Sequence, residues 1–183
     1  TDQGPAIFYN SYSIFNNTTY DAQNILIDTA GTLQYMLENE NITDILIDGA
    51  NRKWIATNGG GLFLMSEDGT NTILSFSSSN SPLFSDKISS LAIDHQSGEL
   101  FIGTDKGLMG YRSKATIPSL VLSSLKVFPN PVRPDYSGEI AIKGMMDNSE
   151  VKITNSNGYL VKTLFSTGGQ AVWDGRNTFN EIV

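Results

Sequence analysis

Apolar residues along this chain come in short runs separated by polar turns, and part of that pattern repeats. Ile42-Thr43-Asp44-Ile45-Leu46-Ile47-Asp48 lines up with Ile88-Ser89-Ser90-Leu91-Ala92-Ile93-Asp94 at an offset of 46 residues. The runs that follow also match. Trp54-Ile55-Ala56-Thr57, Gly61 and Leu62 answer Phe101-Ile102-Gly103-Thr104, Gly107 and Leu108, with one extra residue in the second turn and one fewer before Gly107. Short apolar runs bounded by Gly, Asn and Asp predict strands joined by turns. A period of about 40–50 residues with several strands per repeat predicts β-propeller blades. One blade cannot bury its own faces, and closed propellers use about 4–8 of them. Two clear copies are therefore expected to be the C-terminal part of a larger propeller.

Within the first copy, the continuous run Ile45-Leu46-Ile47 predicts a strand covered on both faces. Trp54-Ile55-Ala56 predicts the returning strand, and Gly59-Gly60-Gly61 a sharp turn that only glycine makes freely. Leu62-Phe63-Leu64-Met65 is the next strand, and Asp68-Gly69 predicts a two-residue hairpin before Thr72-Ile73-Leu74. Upstream, the apolar runs are Ile7-Phe8-Tyr9, Ile25-Leu26-Ile27 and Leu33-Gln34-Tyr35-Met36-Leu37, punctuated by Asn16-Asn17-Thr18-Thr19 and Thr29-Ala30-Gly31. Asn24-Ile25-Leu26-Ile27-Asp28 followed by Gly31-Thr32-Leu33-Gln34-Tyr35 reads as a worn, partial blade.

After Tyr111 the period is lost, and a boundary is expected near 114–118, giving propeller blades over 1–116 and a second domain over 117–183. In the second domain Ile140-Ala141-Ile142, Val151-Lys152-Ile153 and Tyr159-Leu160-Val161-Lys162-Thr163-Leu164 predict strands, the last two joined through a type I′ turn at Asn157-Gly158. Strands at about 8–12-residue spacing suit a small immunoglobulin-like sandwich. No segment carries a convincing 3.6-residue apolar period. The expected fold is all-β: partial β-propeller blades followed by a small immunoglobulin-like β-sandwich.

Charge narrows the function classes. A net charge of −7 and a pI near 4.6 disfavour nucleic acid and anionic membrane surfaces. The chain has no Cys, which removes disulfides, thiolate catalysis and Cys-ligated metals. No apolar stretch approaches the ~20 residues needed to span a bilayer.

The motifs resemble two families. Trp54-Ile55-Ala56-Thr57-Asn58-Gly59-Gly60-Gly61-Leu62 resembles the two-component-regulator propeller repeat, W-I-G-T-x-x-G-G-L, and Phe101 to Leu108 resembles it again with Phe for Trp and one Gly fewer. Phe128-Pro129-Asn130-Pro131-Val132, the Val151 to Val161 hairpin and Trp173-Asp174-Gly175-Arg176-Asn177 resemble the C-terminal domain of type IX secretion proteins of Bacteroidetes, whose W-D-G turn is shared with the FlgD-like immunoglobulin module. That resemblance implies an extracytoplasmic protein, in the periplasm or at the outer-membrane surface. It also implies an accessory role in type IX secretion, with surface glycan (anionic lipopolysaccharide) or secretion-system proteins as partners. The family continues with a final S-G-x-Y-x strand where this sequence has Glu181-Ile182-Val183, so the last strand of the sandwich is expected to be missing, cleaved or disordered. Two other readings share these motifs: a periplasmic oligosaccharide-sensing propeller of a hybrid two-component regulator, and a secreted cargo carrying a type IX sorting domain.

Candidate chemistry is sparse, and no catalytic, cofactor or metal site is expected. His95 is the one histidine and falls in the turn Asp94-His95-Gln96-Ser97-Gly98, where the first repeat has Gly49, so a surface-turn role is expected. Asp48 and Asp94 hold equivalent repeat positions, which favours turn residues accepting backbone N–H bonds over acid–base catalysis. Gly59-Gly60-Gly61 lacks the Lys-Ser/Thr and helix of a phosphate loop. Trp54 and Trp173 are expected to be packed rather than to be sugar platforms, with Asp174 and Arg176 pairing across the turn. Asn16, Asn17 and Asn41 match N-x-S/T, and Asp28-Thr29-Ala30 resembles a short O-glycosylation signal of Bacteroidetes. Binding of an anionic partner needs a basic patch. Lys126, Arg133, Lys143, Lys152, Lys162 and Arg176 lie in the second domain, and Lys152, Lys162 and Arg176 are the candidates, the two lysines flanking the Asn157-Gly158 turn and facing one side. The competing expectation is that these are solvated charges on a sandwich.

Overall fold

The computed structural model describes residues 4–8, 15, 22–29, 32–122 and 124–183. Tyr9, the Asn16-Asn17-Thr18-Thr19 turn with its two sequons, and Ala30-Gly31 lie outside the described residues. The chain is all-β, built as a succession of small antiparallel sheets. It forms two compact units. One comprises Thr1–Ile47, Arg52–Ala92 and Phe101–Tyr111, and the other Asp48–Asn51, Ile93–Leu100 and Arg112–Val183.

In the first unit β1 (Ala6–Ile7) pairs with β2 (Gln23–Asn24), and β3 (Leu26–Thr29) pairs with β4 (Thr32–Tyr35) as a hairpin where the worn blade was expected. The main element is a four-stranded sheet of β5 (Ile42–Ile47), β6 (Lys53–Thr57), β7 (Leu62–Met65) and β8 (Thr72–Phe76). Register puts Leu46, Trp54, Leu64 and Leu74 in one cross-strand row, and Ile45, Ile55, Phe63 and Ser75 in the next. Successive residues of a strand point to opposite faces, so the rows belong to different faces. Ile55 and Met65 pack with Ile25 and Met36 of the preceding hairpin region. On the other face Trp54 stacks on Phe76 at 6.4 Å and meets Tyr111 edge-on at 5.7 Å.

Tyr111 belongs to the second repeat, β9 (Ile88–Asp94), β10 (Glu99–Thr104) and β11 (Gly107–Arg112), a three-stranded sheet. The first strands of the two repeats lie side by side. Thr43 Oγ1 donates to Ile88 O at 2.7 Å, and the Leu91 N–H donates to Asp44 Oδ2 at 2.8 Å. The described residues do not close a ring of sheets.

The repeat is visible bond by bond. Thr57 Oγ1 donates to Gly61 O and accepts the Gly60 N–H, both at 2.9 Å. Thr104 Oγ1 donates to Gly107 O at 2.8 Å and accepts the Lys106 N–H at 3.2 Å. Both turn glycines carry positive φ, +89° at Gly61 and +136° at Gly107, where a side chain would be strained. The Asn58 and Asp105 N–H groups reach back to Asn41 O and Lys87 O, at 2.8 and 3.3 Å.

Three local expectations are corrected. Coverage on both faces holds for β6 and β7, but Ile45 and Ile47 in β5 stand about half exposed. Burial of a continuous apolar run depends on what packs over it, which the run itself does not encode. Asp68-Gly69 is not a two-residue hairpin. The loop runs from 66 to 71, closed by Ser66 N–H to Asn71 O at 2.8 Å, because Asp68 gathers the Thr70 N–H and the Ser66 and Thr70 hydroxyls. Asn157-Gly158 is not a type I′ turn, which needs positive φ at both residues. Gly158 alone of the pair has it, at +84°, while Asn155 Oδ1 takes the Asn157 and Tyr159 N–H groups and a bulge follows Ile153.

In the second unit β12 (Lys126–Phe128), β13 (Ile140–Lys143) and β16 (Gln170–Trp173) form one sheet, and β14 (Glu150–Thr154) and β15 (Leu160–Phe165) another. Ile142, Met145 and Ala171 are buried against Val151, Ile153 and Leu164, so two layers share one small core. The repeat turns at 48–51 and 93–100 belong to this unit too: the Ile117 N–H donates to His95 O at 2.8 Å, and the Gly169 N–H to Thr116 O at 2.8 Å. A Cβ at Gly49 would lie 2.1 Å from Thr116 O, so that position accepts no side chain, whereas its repeat counterpart His95 is exposed.

Candidate binding site

The three sequence candidates do not converge. Register places Ile153 opposite Lys162 and Lys152 opposite Thr163. Cross-strand partners share a face and neighbours along a strand do not, so Lys152 and Lys162 point to opposite faces of β14–β15, contrary to expectation. The hairpin was expected to put them on one side because both flank its turn, but the parity of the register decides the face. Lys162 shares the face of Val151, Ile153 and Leu164 at its open end, and its Nζ donates to Asn177 O at 3.3 Å. Lys152 is exposed on the other face beside Glu150, with N–O 3.5 Å. Such an exposed pair contributes little.

Arg176 shares a loop with Lys162's acceptor, its guanidinium donating to Asn180 O at 2.8 Å. The expected ion pair with Asp174 is replaced by a backbone bond. Asp174 Oδ1 accepts the Arg176 N–H at 3.0 Å, the geometry of an Asx turn, which holds the guanidinium's own backbone and turns the side chain elsewhere. Two of the three cations thus serve a loop's carbonyls.

The tryptophans differ. Trp54 is fully buried, and its Nε1 has no hydrogen-bond partner among the described residues. Trp173 is half-buried, and its Nε1 donates to Arg176 O at 2.8 Å. Asp48 Oδ1 accepts the Ala50 N–H at 2.9 Å and Asp94 Oδ1 the Gln96 N–H at 3.0 Å, the same i+2 bond in each repeat. The Ser97 hydroxyl and then the Gln96 N–H hold the Asp94 carboxyl below its usual range. Asp86 is lowered too, chiefly by the Ser78 N–H and then by its hydroxyl. Among the described residues no three His, Asp or Glu are grouped to hold a metal ion, and no helix is long and apolar enough to cross a membrane.

A different set of residues does converge. The register pairs Lys126 with Lys143 and Lys143 with Gln170, and two positions along, Phe128 with Ala141 and Ala141 with Val172. All six therefore share one face of the β12–β13–β16 sheet, opposite the face that carries Ile142 and Ala171. This outward face lines a concavity of about 480 Å³ whose rim adds Arg112, Lys114 and Glu139. Lys114 Nζ and Glu139 Oε1 are 2.5 Å apart. Period-2 alternation in Lys126-Val127-Phe128 and Ala141-Ile142-Lys143 was the available signal in the sequence. What brings the two lysines together is register, which the alternation does not set.

Repeated small antiparallel sheets with glycine-pinned turns, followed by a two-layer β unit, define an all-β protein almost without helix among the described residues. No protein-family profile matches the chain, and no curated protein does. Among solved structures it is similar to PorZ of Porphyromonas gingivalis, described as an essential bacterial surface component of the type IX secretion system, at 34% identity and a TM-score of 0.65. The match covers 100% of this chain and 25% of that one, so the chain spans about a quarter of PorZ's length.

Proposed function

We propose that this chain is part of a cell-surface protein that assists type IX secretion as a non-enzymatic scaffold holding secretion-system proteins or surface glycan. The observation that carries this reading is the 34% identity to PorZ over the whole chain, with a TM-score of 0.65. The bonding of the chain's carboxylates is consistent with it: Asp48, Asp94 and Asp174 each accept a backbone N–H two residues on, as turn formers do. Glycan engagement, in this reading, needs a basic surface other than the Lys152, Lys162 and Arg176 set.

The test is made in the native host. Deleting the encoding gene is expected to leave type IX cargo inside the cell, and a tagged copy is expected to be cross-linked to components of that system at the cell surface. Normal cargo export in the deletion strain would overturn the proposal.

A further inference from the structure

We propose that the outward face of the β12–β13–β16 sheet is a binding site for an organic phosphate. It goes beyond the secretion reading and can fail separately from it, since it concerns the purified chain alone. The first observation is the concentration of charge. Of twelve Lys and Arg in a chain of net charge −7, four line this one concavity, against a single carboxylate, Glu139. Glu139 is engaged by Lys114 at 2.5 Å. Arg112, Lys126 and Lys143 have no ion-pair partner among the described residues.

The second observation is the placement of two of those charges. Lys126 and Lys143 are direct cross-strand partners. Like charges directly opposite each other on an antiparallel pair are unfavourable, and a shared anion between them reverses the sign of that interaction. Beside Lys143 in the same row lies Gln170, only 4% exposed and fixed by its Nε2 to Ser113 O at 3.4 Å, which gives the concavity a polar, immobile floor.

The chemical class follows from the charge and from the next row. An excess of three cations over carboxylate suits a dianion better than a single carboxylate. A phosphomonoester carries about −1.5 to −2 charges at neutral pH and three acceptor oxygens, and a guanidinium such as that of Arg112 matches two of them at once. Two positions along the strands lie Phe128, Ala141 and Val172, with Phe128 74% exposed. That apolar row is where the carbon skeleton of the ligand lies, with the phosphate over the lysine row. A concavity of about 480 Å³ has the size of a small-molecule site.

The test is calorimetric titration of the 183-residue chain with glucose 6-phosphate, glucose and inorganic phosphate at low and high salt. Glucose 6-phosphate is expected to bind saturably and more weakly at high salt, glucose not at all, and inorganic phosphate more weakly for want of the contact with Phe128. Arg112→Gln, Lys126→Gln and Lys143→Gln are each expected to weaken glucose 6-phosphate roughly tenfold, the scale of one charge-assisted contact. Lys106→Gln, outside this face, is expected to leave it unchanged. Relief of the like-charge pair is expected to raise the unfolding midpoint of Lys126→Gln and Lys143→Gln, which separates lost binding from lost fold. Equal response to glucose and glucose 6-phosphate, inorganic phosphate binding as tightly as glucose 6-phosphate, or unchanged affinity in the three variants would each overturn the proposal.

Discussion

The two repeats, β5–β8 and β9–β11, make the same local bonds, but the first buries both of its faces and the second only one. Thr57 and Thr104 clasp their glycine turns alike, and Asp48 and Asp94 close the same turn. Ile55 and its counterpart Ile102 are both buried. Their neighbours on the opposite face are not alike. Trp54 is 0% exposed and Phe101 39%; Leu62 is 0% exposed and Leu108 69%. The face turned toward the preceding element is covered in both repeats. The face turned away is covered in the first, by Tyr111 of the second, and stands open in the second. The first repeat also has a fourth strand, β8, to which nothing among the described residues of the second corresponds; after Arg112 the Ser113 N–H bonds to Gly98 O instead. Equivalent sequence therefore sets equivalent hydrogen bonds, while burial belongs to the neighbour.

The sharpest way to break this comparison is a pair of truncations. Trp54→Ala is expected to cost about 3–5 kcal/mol, the usual range for a buried aromatic. Phe101→Ala, at the equivalent but open position, is expected to cost about 1 kcal/mol. Urea unfolding of both variants measures the difference, and equal losses would show that the second repeat is as well covered as the first. Trp54→Phe, which copies the second repeat, is expected to fall far short of the alanine loss. It removes an N–H that has no partner while keeping most of the packing.

A smaller effect separates the two threonines. Thr57 is fully buried, so Thr57→Val leaves Gly61 O without that donor away from water and is expected to cost about 1–3 kcal/mol. At half-exposed Thr104 water replaces the hydroxyl, and Thr104→Val is expected to cost about 0.5–1 kcal/mol. Unfolding midpoints in the same denaturant series check the order.

The smallest effect is on titration, at one turn carboxylate in each repeat, in positions that are not equivalent. Ser66's hydroxyl, then the Thr70 N–H and hydroxyl, lower Asp68 in the first repeat from 3.8 to about 2. Ser97's hydroxyl and the Gln96 N–H lower Asp94 in the second. A carboxyl depressed in the folded state stabilises fully above its unfolded value. For Asp68 that contribution is lost as pH falls from 3.8 toward about 2. Carboxyl NMR titration of Ser66→Ala and Ser97→Ala should show Asp68 and Asp94 moving back up. An unmoved Asp68 in Ser66→Ala would remove the hydroxyl as the main cause.

Much of the local structure was legible because it rests on bonds within a few residues. The repeat at offset 46, the glycine turns and the roles of Asp48 and Asp94 all depend on short-range donors and acceptors. The hairpin at β14–β15 was legible as well, but not its turn, since Asn155 outcompeted the Asn157-Gly158 signal. The expectation that Lys152 and Lys162 face one side was overturned for a related reason. Lys152 and Lys162 flank one turn, and the bulge and register between them decide the faces they occupy.

By itself, the sequence determined the all-β class, the period of the repeat and the turn chemistry, because alternation, glycine and short polar side chains act over a few bonds. Tertiary structure alone decided which equivalent positions are buried, since burial needs a partner that the position does not specify. It alone set Lys126 against Lys143, fixed Gln170 beside them and laid Phe128, Ala141 and Val172 in the adjoining row. Charges distant in sequence meet only where strand register brings them together, and a one-residue slip of any one strand would send that strand's residues to the opposite face.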